Sequence, residues 1–232
     1  LSSPDLYNLS LKWASEYNKI SPESKIKVIN VKNGRIADNL SEKREIGFVS
    51  NEYYSGFDSE STWKVVVARD VIVPVINSNN PFLNEIFQKG ISPESFTRFF
   101  GNKDSMNWGT LLKGKQNSSA NYYFIDDESI LKGMSEFLKT EMIKVDGIKA
   151  ESTEKMISAI IKDPYAIGFC KMINILEPVN QTMVENIRLI PIDRNGNGTI
   201  DYNEKIYDDL NSFYRGVWIG KYPKALFSNI YS

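Results

Sequence analysis

Several residue types that support common enzyme chemistries are scarce or missing from this sequence. Histidine is absent from all 232 residues, which removes the commonest general base, the Ser-His and Cys-His nucleophile systems and most catalytic zinc sites. The one cysteine, Cys170, lies in an apolar run and cannot form an internal disulfide, so thiol content does not identify the compartment. Carboxylate chemistry remains open, whereas most other side-chain catalysis is disfavoured.

Charge and hydropathy exclude two further classes. Lys plus Arg is 28 and Asp plus Glu is 29, so the net charge is −1, and a near-neutral chain without a basic tract has no electrostatic footprint for nucleic acid. The longest apolar runs, 65–68 and 71–76, are far shorter than the ~20 residues of a membrane helix. Leu1 opens onto polar residues, so no cleavable signal is visible, but a trimmed secreted protein would look the same.

The order of local patterns predicts an α/β class. Ser3 and Pro4 are typical of a helix start, and Leu6, Leu9, Trp13 and Tyr17 follow at helical spacing. Strands are predicted over 25–31, 46–50, 64–77, 121–125, 166–172 and 187–192. Helices are predicted over 82–89, 92–100, 127–142, 152–162 and 203–213, with a loop over 102–121. Helices between strands favour sheets flanked by helices.

The most specific motif runs from Asp193 to Glu204 and matches the spacing of a calcium-binding loop. Alternate residues supply hard oxygen ligands, Gly198 permits the sharp turn, and a closing glutamate provides both of its oxygens. The predicted Ca²⁺ ligands are Asp193, Asn195, Asn197, Thr199, Asp201 and Glu204. Ile200 is the apolar residue that ties such a loop to the protein body.

The residue types of this segment also favour an ordinary surface turn, because Asn, Asp and Gly are common in turns. The ligand-type positions in register with Gly198 and Ile200 favour calcium over that reading. A strand is predicted before the loop instead of the helix of a full EF-hand. An unpaired loop with two Asp and one Glu is more typical of a structural clip in calcium-rich surroundings than of a sensor.

Five segments, in order, resemble the phosphate-type periplasmic binding proteins of ABC transporters. They are Ser2-Ser3-Pro4-Asp5, Ile46-Gly-Phe-Val-Ser50, Arg69-Asp-Val-Ile-Val-Pro-Val-Ile-Asn77, the stretch from Met156 to Ile173, and Gly220-Lys-Tyr-Pro223. The resemblance implies a two-lobed type II fold, each lobe a mixed sheet flanked by helices, with the ligand cleft between the lobes. It implies one lobe of residues 1–74 plus 177–232, which would hold the calcium loop, and a second lobe of residues 75–176.

The resemblance also implies the ligand contacts. In the first lobe these are Ser2, Ser3, Gly34, Arg35, Ser50 and Asn51, and in the second they are Asp127, Glu128 and Ser129. The family's second-lobe motif is an Arg followed by Ser-Gly-Thr, but this chain has Asp126-Asp127-Glu128-Ser129 there. Carboxylates in place of an arginine fork would repel phosphate even at a helix N-terminus.

Plainer interpretations stand beside these. Ser3 and Asp127 are both good helix caps, and Arg35 is most simply a solvated loop charge. The leading prediction is an extracytoplasmic or periplasmic solute-binding protein that is not an enzyme, binds a small solute or inorganic anion and works with an ABC transporter component. The alternative is an interaction protein on the same fold whose cleft has lost its ligand. A hydrolase using Asp127 and Glu128 is disfavoured, because adjacent residues at a helix start diverge. The sequence leaves open whether a lipid anchor precedes Leu1.

Overall fold

A computed structural model describes residues 1–31, 45–51, 64–141, 146–177, 180 and 182–232. The chain divides into a smaller unit, Leu1–Asp70 with Ser228–Ser232, and a larger unit, Val71–Phe227. In this division the segment 177–227, with the loop 193–204, belongs to the larger unit, although the sequence analysis assigns it to the N-terminal lobe. The backbone gives the reason, because the segment bonds to Ile91: Ile91 N–H donates to Pro191 O at 2.9 Å, and Asp193 N–H donates to Ile91 O at 3.2 Å.

The helices and strands have the following bounds. The α-helices are α1 Tyr7–Ile20, α2 Leu83–Lys89, α3 Pro93–Gly101, α4 Trp108–Leu112, α5 Glu128–Leu138, α6 Thr153–Lys162 and α7 Leu210–Trp218. The strands are β1 Val49–Ser50, β2 Val66–Asn77, β3 Asn121–Phe124, β4 Ile148–Lys149, β5 Ala166–Lys171, β6 Ile187–Leu189 and β7 Phe227–Tyr231. Short 3₁₀ turns cover Pro4–Leu6, Lys103–Ser105, Met172–Ile175 and Lys224–Leu226.

In the smaller unit, α1 lies beside short extended segments. Strand β1 pairs antiparallel with β7, with Ser50 opposite Ile230. The strand predicted over 25–31 is reduced to a bridge between Asn30 and Ser2. The buried face of α1 also differs from the prediction: Ser10 and Ala14 are buried, whereas Tyr17 is 50% exposed.

A mixed sheet forms the larger unit. Strand β2 pairs antiparallel with β5 and with β6, and β3 lies parallel to both β5 and β4. The β-branched run of β2 explains its central place, because Val71 to Ile76 are buried and such residues pack well in strands. Helices α5 and α6 bury Met134 and Met156 completely. The predicted α/β class, an open mixed sheet flanked by helices, is confirmed.

Local capping sets most helix starts. The side chains of Ser92, Asp127 and Ser152 accept backbone N–H groups at the starts of α3, α5 and α6. The cap at Asp127 and helix starts at residues 92 and 152 are predicted from the sequence. Helix α7 begins at Leu210, later than the predicted 203, because Asp209 is its cap. Within the predicted loop 102–121 lies α4, whose Trp108 is fully buried. No helix in the described ranges is long and apolar enough to cross a membrane.

Candidate functional site

Four serines form a buried hydroxyl cluster in the smaller unit. Ser2 and Ser3 are 0% exposed, Ser10 is 4% exposed and Ser50 is 5% exposed. Ser10 Oγ donates to Ser2 Oγ at 2.8 Å, and Ser2 Oγ donates to the carbonyl of Ser3 at 3.1 Å. The backbone N–H of Ser50 approaches Ser3 Oγ at 3.5 Å. The predicted contacts Ser2, Ser3 and Ser50 are therefore brought together, and Ser10 joins them.

The backbone around this cluster is held on two sides. Ser2 N–H donates to Ile29 O at 2.9 Å, and Ser3 N–H donates to Phe48 O at 2.9 Å. Ser3 makes no side-chain cap at the following helical turn, so its hydroxyl is not used in the way that the plainer interpretation expects. These bonds fix the position of the hydroxyls before any ligand arrives.

The hydroxyl of Ser50 is the unusual member of the cluster. Within the described part of the chain its Oγ is buried and has no hydrogen-bond partner. A buried hydroxyl without a partner costs about 1–3 kcal/mol, so native proteins seldom keep one. A polar ligand atom at this position would remove that cost.

The other predicted contacts of the smaller unit are less informative. Asn51 is exposed, and its N–H donates to Asn229 O at 3.1 Å, which continues the pairing of β1 with β7. Gly34 and Arg35 lie outside the described residues.

At the start of α5 in the larger unit, Asp127 acts as a helix cap. Its Oδ1 accepts the N–H of Ser129 at 2.9 Å, the N–H of Ile130 at 3.2 Å and the hydroxyl of Ser129 at 2.6 Å. Glu128 is exposed. The position that an oxyanion would take at this helix N-terminus is thus filled by a carboxylate of the chain itself, which disfavours an external anion at the same N–H groups.

The predicted calcium loop buries its first and last carboxylates. Asp193 is 2% exposed and Glu204 is 3% exposed. Asp193 accepts the N–H groups of Gly196 and Gly198, both at 2.8 Å, and Glu204 Oε1 accepts that of Arg194 at 2.7 Å. Backbone N–H groups inside the loop therefore compensate both buried charges.

The remaining ligand positions bond to one another. Asn195 Nδ2 donates to Asp201 Oδ2 at 2.9 Å, and Asn197 Oδ1 accepts the N–H of Thr199 at 2.9 Å. No group of three or more carboxylate, thiol or imidazole side chains within the described ranges is arranged to hold a metal. The predicted calcium ligands differ from such a group, because they also include amide and backbone oxygens.

The end of α2 anchors the loop to the larger unit. Ile200 N–H donates to Gln88 O at 3.1 Å, and Asp193 N–H donates to Ile91 O at 3.2 Å. Gly90 lies between these two bonds with a φ of +67°, and a Cβ there would stand 2.5 Å from Ile200 Cδ1 and 2.9 Å from Asp193 N. The strand predicted before the loop is present as β6.

Two residues of these candidate sites were not predicted from the sequence: Ser10 in the serine cluster and Gly90 beside the loop 193–204. Ser10 could have been noticed as a lone hydroxyl on the helix face that also carries Leu6 and Ala14. The role of Gly90 carries no local signal, since it depends on a loop a hundred residues later in the chain.

Comparisons with known proteins show what this fold resembles. No protein-family model and no curated protein sequence matches the chain. A possible phosphate-binding protein from Planctomyces limnophilus matches 100% of this chain and 79% of its own at 15% identity, with a TM-score of 0.56. For an ABC-type phosphate transport receptor from Vibrio cholerae, the match covers 99% of this chain and 84% of the receptor chain at 14% identity, with a TM-score of 0.55. For the protein PstS from Borrelia burgdorferi, the match covers 100% of this chain and 85% of the PstS chain at 16% identity, with a TM-score of 0.54. At such identities the likeness shows one thing: this chain shares its fold with phosphate-binding proteins of transporters.

Proposed function

We propose that this chain is an extracytoplasmic solute-binding protein that delivers a small polar solute to the membrane component of an ABC transporter. The observation that carries the proposal is the buried hydroxyl of Ser50, which has no hydrogen-bond partner among the residues that the structure describes and lies in a cluster with Ser2, Ser3 and Ser10. The shared fold supports it, because the structures that this chain resembles are described as phosphate-binding proteins and receptors.

The proposed ligand is a small oxyanion held by hydroxyl groups. Ser3 and Ser50 each have a hydroxyl that can donate, and the helical segment that follows Ser3 directs the positive end of its dipole toward its own start. The carboxylate of Asp127 already accepts the N–H groups at the start of α5, so these groups are not available to an anion. In this proposal the oxyanion therefore binds to hydroxyl and backbone donors of the smaller unit.

A thermal melt with and without about 1 mM phosphate tests the proposal. A ligand with micromolar affinity would add roughly 4 kcal/mol of stability, which is about 8–16 °C for a chain of this size. The same melt with sulfate and with neutral polyols distinguishes an oxyanion from other polar solutes. If no member of such a panel shifts the melt, the solute-binding proposal is wrong.

One observation favours a second candidate, an interaction protein on the same fold without a solute. The carboxylate of Asp127 already satisfies the start of α5, and exposed Glu128 adds a further negative charge there. On this alternative no solute shifts the melt, and Asp127→Ser does not create a phosphate response.

We further propose that the loop 193–204 binds one Ca²⁺ as a structural clip. The match to the ligand spacing and the burial of Asp193 and Glu204 support this. At a hundredfold excess over its dissociation constant, calcium would raise stability by about 2.7 kcal/mol, or about 5–11 °C in the melt.

The control for the calcium site is a difference measurement. Glu204→Gln is expected to abolish the gain from calcium over EDTA, whereas the matched variant Glu136→Gln, an exposed residue of α5, should keep the full gain. Magnesium should raise the melting temperature little, because the proposed ligand set suits the larger and more flexible coordination sphere of calcium. An equal gain in the two variants would place the calcium elsewhere.

A further inference from the structure

The C-terminal end of α7 carries a set of exposed aromatic and apolar side chains. Tyr214 and Trp218 lie four residues apart on one helix face, and Ile219 follows directly. Their exposed fractions are 41%, 54% and 58%, and that of Tyr202 nearby is 82%. Large apolar groups that stay exposed together usually mark an interaction surface.

Two cationic side chains hold Tyr202 near the C-terminal end of α7. Lys221 Nζ lies 4.5 Å from the ring centroid of Tyr202, and it donates to the carbonyl of Tyr202 at 3.3 Å. Arg194 Nη1 donates to the carbonyls of Lys221 at 2.8 Å and of Gly220 at 3.4 Å. Tyr202 is thereby held beside the turn that follows Ile219. The patch comprises Tyr202, Tyr214, Trp218 and Ile219 with these two cations and Arg215.

The patch carries an excess of positive charge although the whole chain is nearly neutral. Arg194 and Arg215 are exposed, and Lys221 is partly exposed. Asp208 and Asp209 directly precede α7, so they lie at the opposite end of the helix from Trp218, about 13 Å away for nine residues of helix. Of the loop carboxylates nearby, Glu204 is buried against backbone N–H groups. Asp201, directly before Tyr202, is partly exposed and accepts a hydrogen bond from Asn195 Nδ2, so the three cations outnumber the exposed carboxylates.

We propose that this patch docks on the surface of an anionic lipid bilayer. Trp and Tyr flanked by Arg and Lys is the composition that favours the membrane–water interface, where the rings enter the headgroup region and the cations contact lipid charges. Protein interfaces also use Trp, Tyr and Arg, so an acidic protein partner is the alternative that an absence of binding to anionic vesicles would favour. This docking site is separate from the serine cluster and from the proposed solute.

Vesicle binding tests the proposal. The chain is mixed with vesicles of phosphatidylcholine alone or with added phosphatidylglycerol, and the bound fraction is measured by co-sedimentation. EDTA is present so that Ca²⁺ held by the loop 193–204, which carries Arg194 and Tyr202, adds no positive charge. We expect binding to the anionic vesicles that weakens in high salt. Each cation removed, as in Arg215→Gln or Lys221→Gln, should weaken it about fivefold.

Matched variants separate the patch from the rest of the surface. Ile219→Ser should weaken binding, whereas Ile173→Ser, which removes a similarly exposed isoleucine (63%) elsewhere in the larger unit, should not. Lys155→Gln in α6 is the charge control. The proposal is overturned by the absence of binding to anionic vesicles, by equal binding to both kinds of vesicle, or by equal losses in the patch and control variants. Because all of these side chains are exposed or partly exposed, the variants should keep the wild-type melt.

Discussion

Replacement of Ser50 by alanine should have opposite effects on the stability of the free protein and on ligand binding. In the described part of the chain Ser50 Oγ is buried and has no partner, so folding removes it from water without compensation. Removing the hydroxyl takes away this desolvation cost. We expect the free variant to gain about 1 kcal/mol, which is an increase of about 2–4 °C in melting temperature.

The ligand-bound state should respond in the other direction. A hydrogen bond to a charged group contributes about 1.5–3 kcal/mol, so the loss of one donor should weaken phosphate binding roughly tenfold to a hundredfold. Scanning calorimetry on the free protein and titration calorimetry with phosphate measure the two quantities separately. Ser24→Ala, at a partly buried serine of the same unit, is the control and should change neither.

Two results would contradict the reasoning. A free Ser50→Ala variant that melts several degrees lower than the wild type would show that the hydroxyl makes a stabilising bond, so its burial would not point to a ligand. A phosphate affinity that is the same in variant and wild type would show that the solute does not contact Ser50. Only the second result depends on phosphate being the ligand.

Three other predictions concern the larger unit. Gly90→Ala should lower the melting temperature by at least about 2–4 °C, since a φ of +67° costs a residue with a side chain about 1–2 kcal/mol. The new Cβ would also lie 2.9 Å from Asp193 N. The control Gly101→Ala, whose Cβ would have nothing within 4 Å, should leave the melting temperature unchanged. Asp127→Ala should cost about 1 kcal/mol through loss of the α5 cap, measured by urea unfolding. Asp126→Ala should cost little, because Asp126 is exposed and its ion pair is with exposed Lys149. Equal costs would refute the capping role. Burial raises the pKa of the Cys170 thiol to about 12 from 9.0, so a maleimide should label it only after unfolding. Because the folded pKa is the higher one, this group's contribution to stability should be complete below pH 9.0 and decline toward pH 12; rapid labelling of the native protein would show that the thiol is accessible.

The parts of the fold that follow from short-range signals were predictable. The caps at Ser92, Asp127 and Ser152 set helix starts because a cap acts within three residues of itself. The β-branched run of β2 identified a buried strand for a similar reason.

Other parts of the fold depend on contacts between residues far apart in the sequence, which a short stretch of sequence does not reveal. Helix α4 is five residues long in a polar, Gly-rich stretch, and it depends on the burial of Trp108 in the core of the larger unit. The strand predicted over 25–31 alternates over its first four residues, yet Ile26 and Ile29, which a strand would place on opposite faces, are 46% and 45% exposed. Within the described residues this segment forms the bridge at Asn30 and no longer pairing. Alternation alone does not specify a pairing partner.

The candidate sites divide along the same line. The sequence by itself determined the residue types, the calcium-loop spacing and the cap at Asp127, because each depends on neighbours along the chain. The tertiary structure decided that Ser10 joins Ser2 and Ser3, that Ser50, 47 residues from Ser3, is buried against them, and that Gly90 receives the loop 193–204. Those contacts form only when distant segments pack together, so their energies depend on the whole fold and not on local preference.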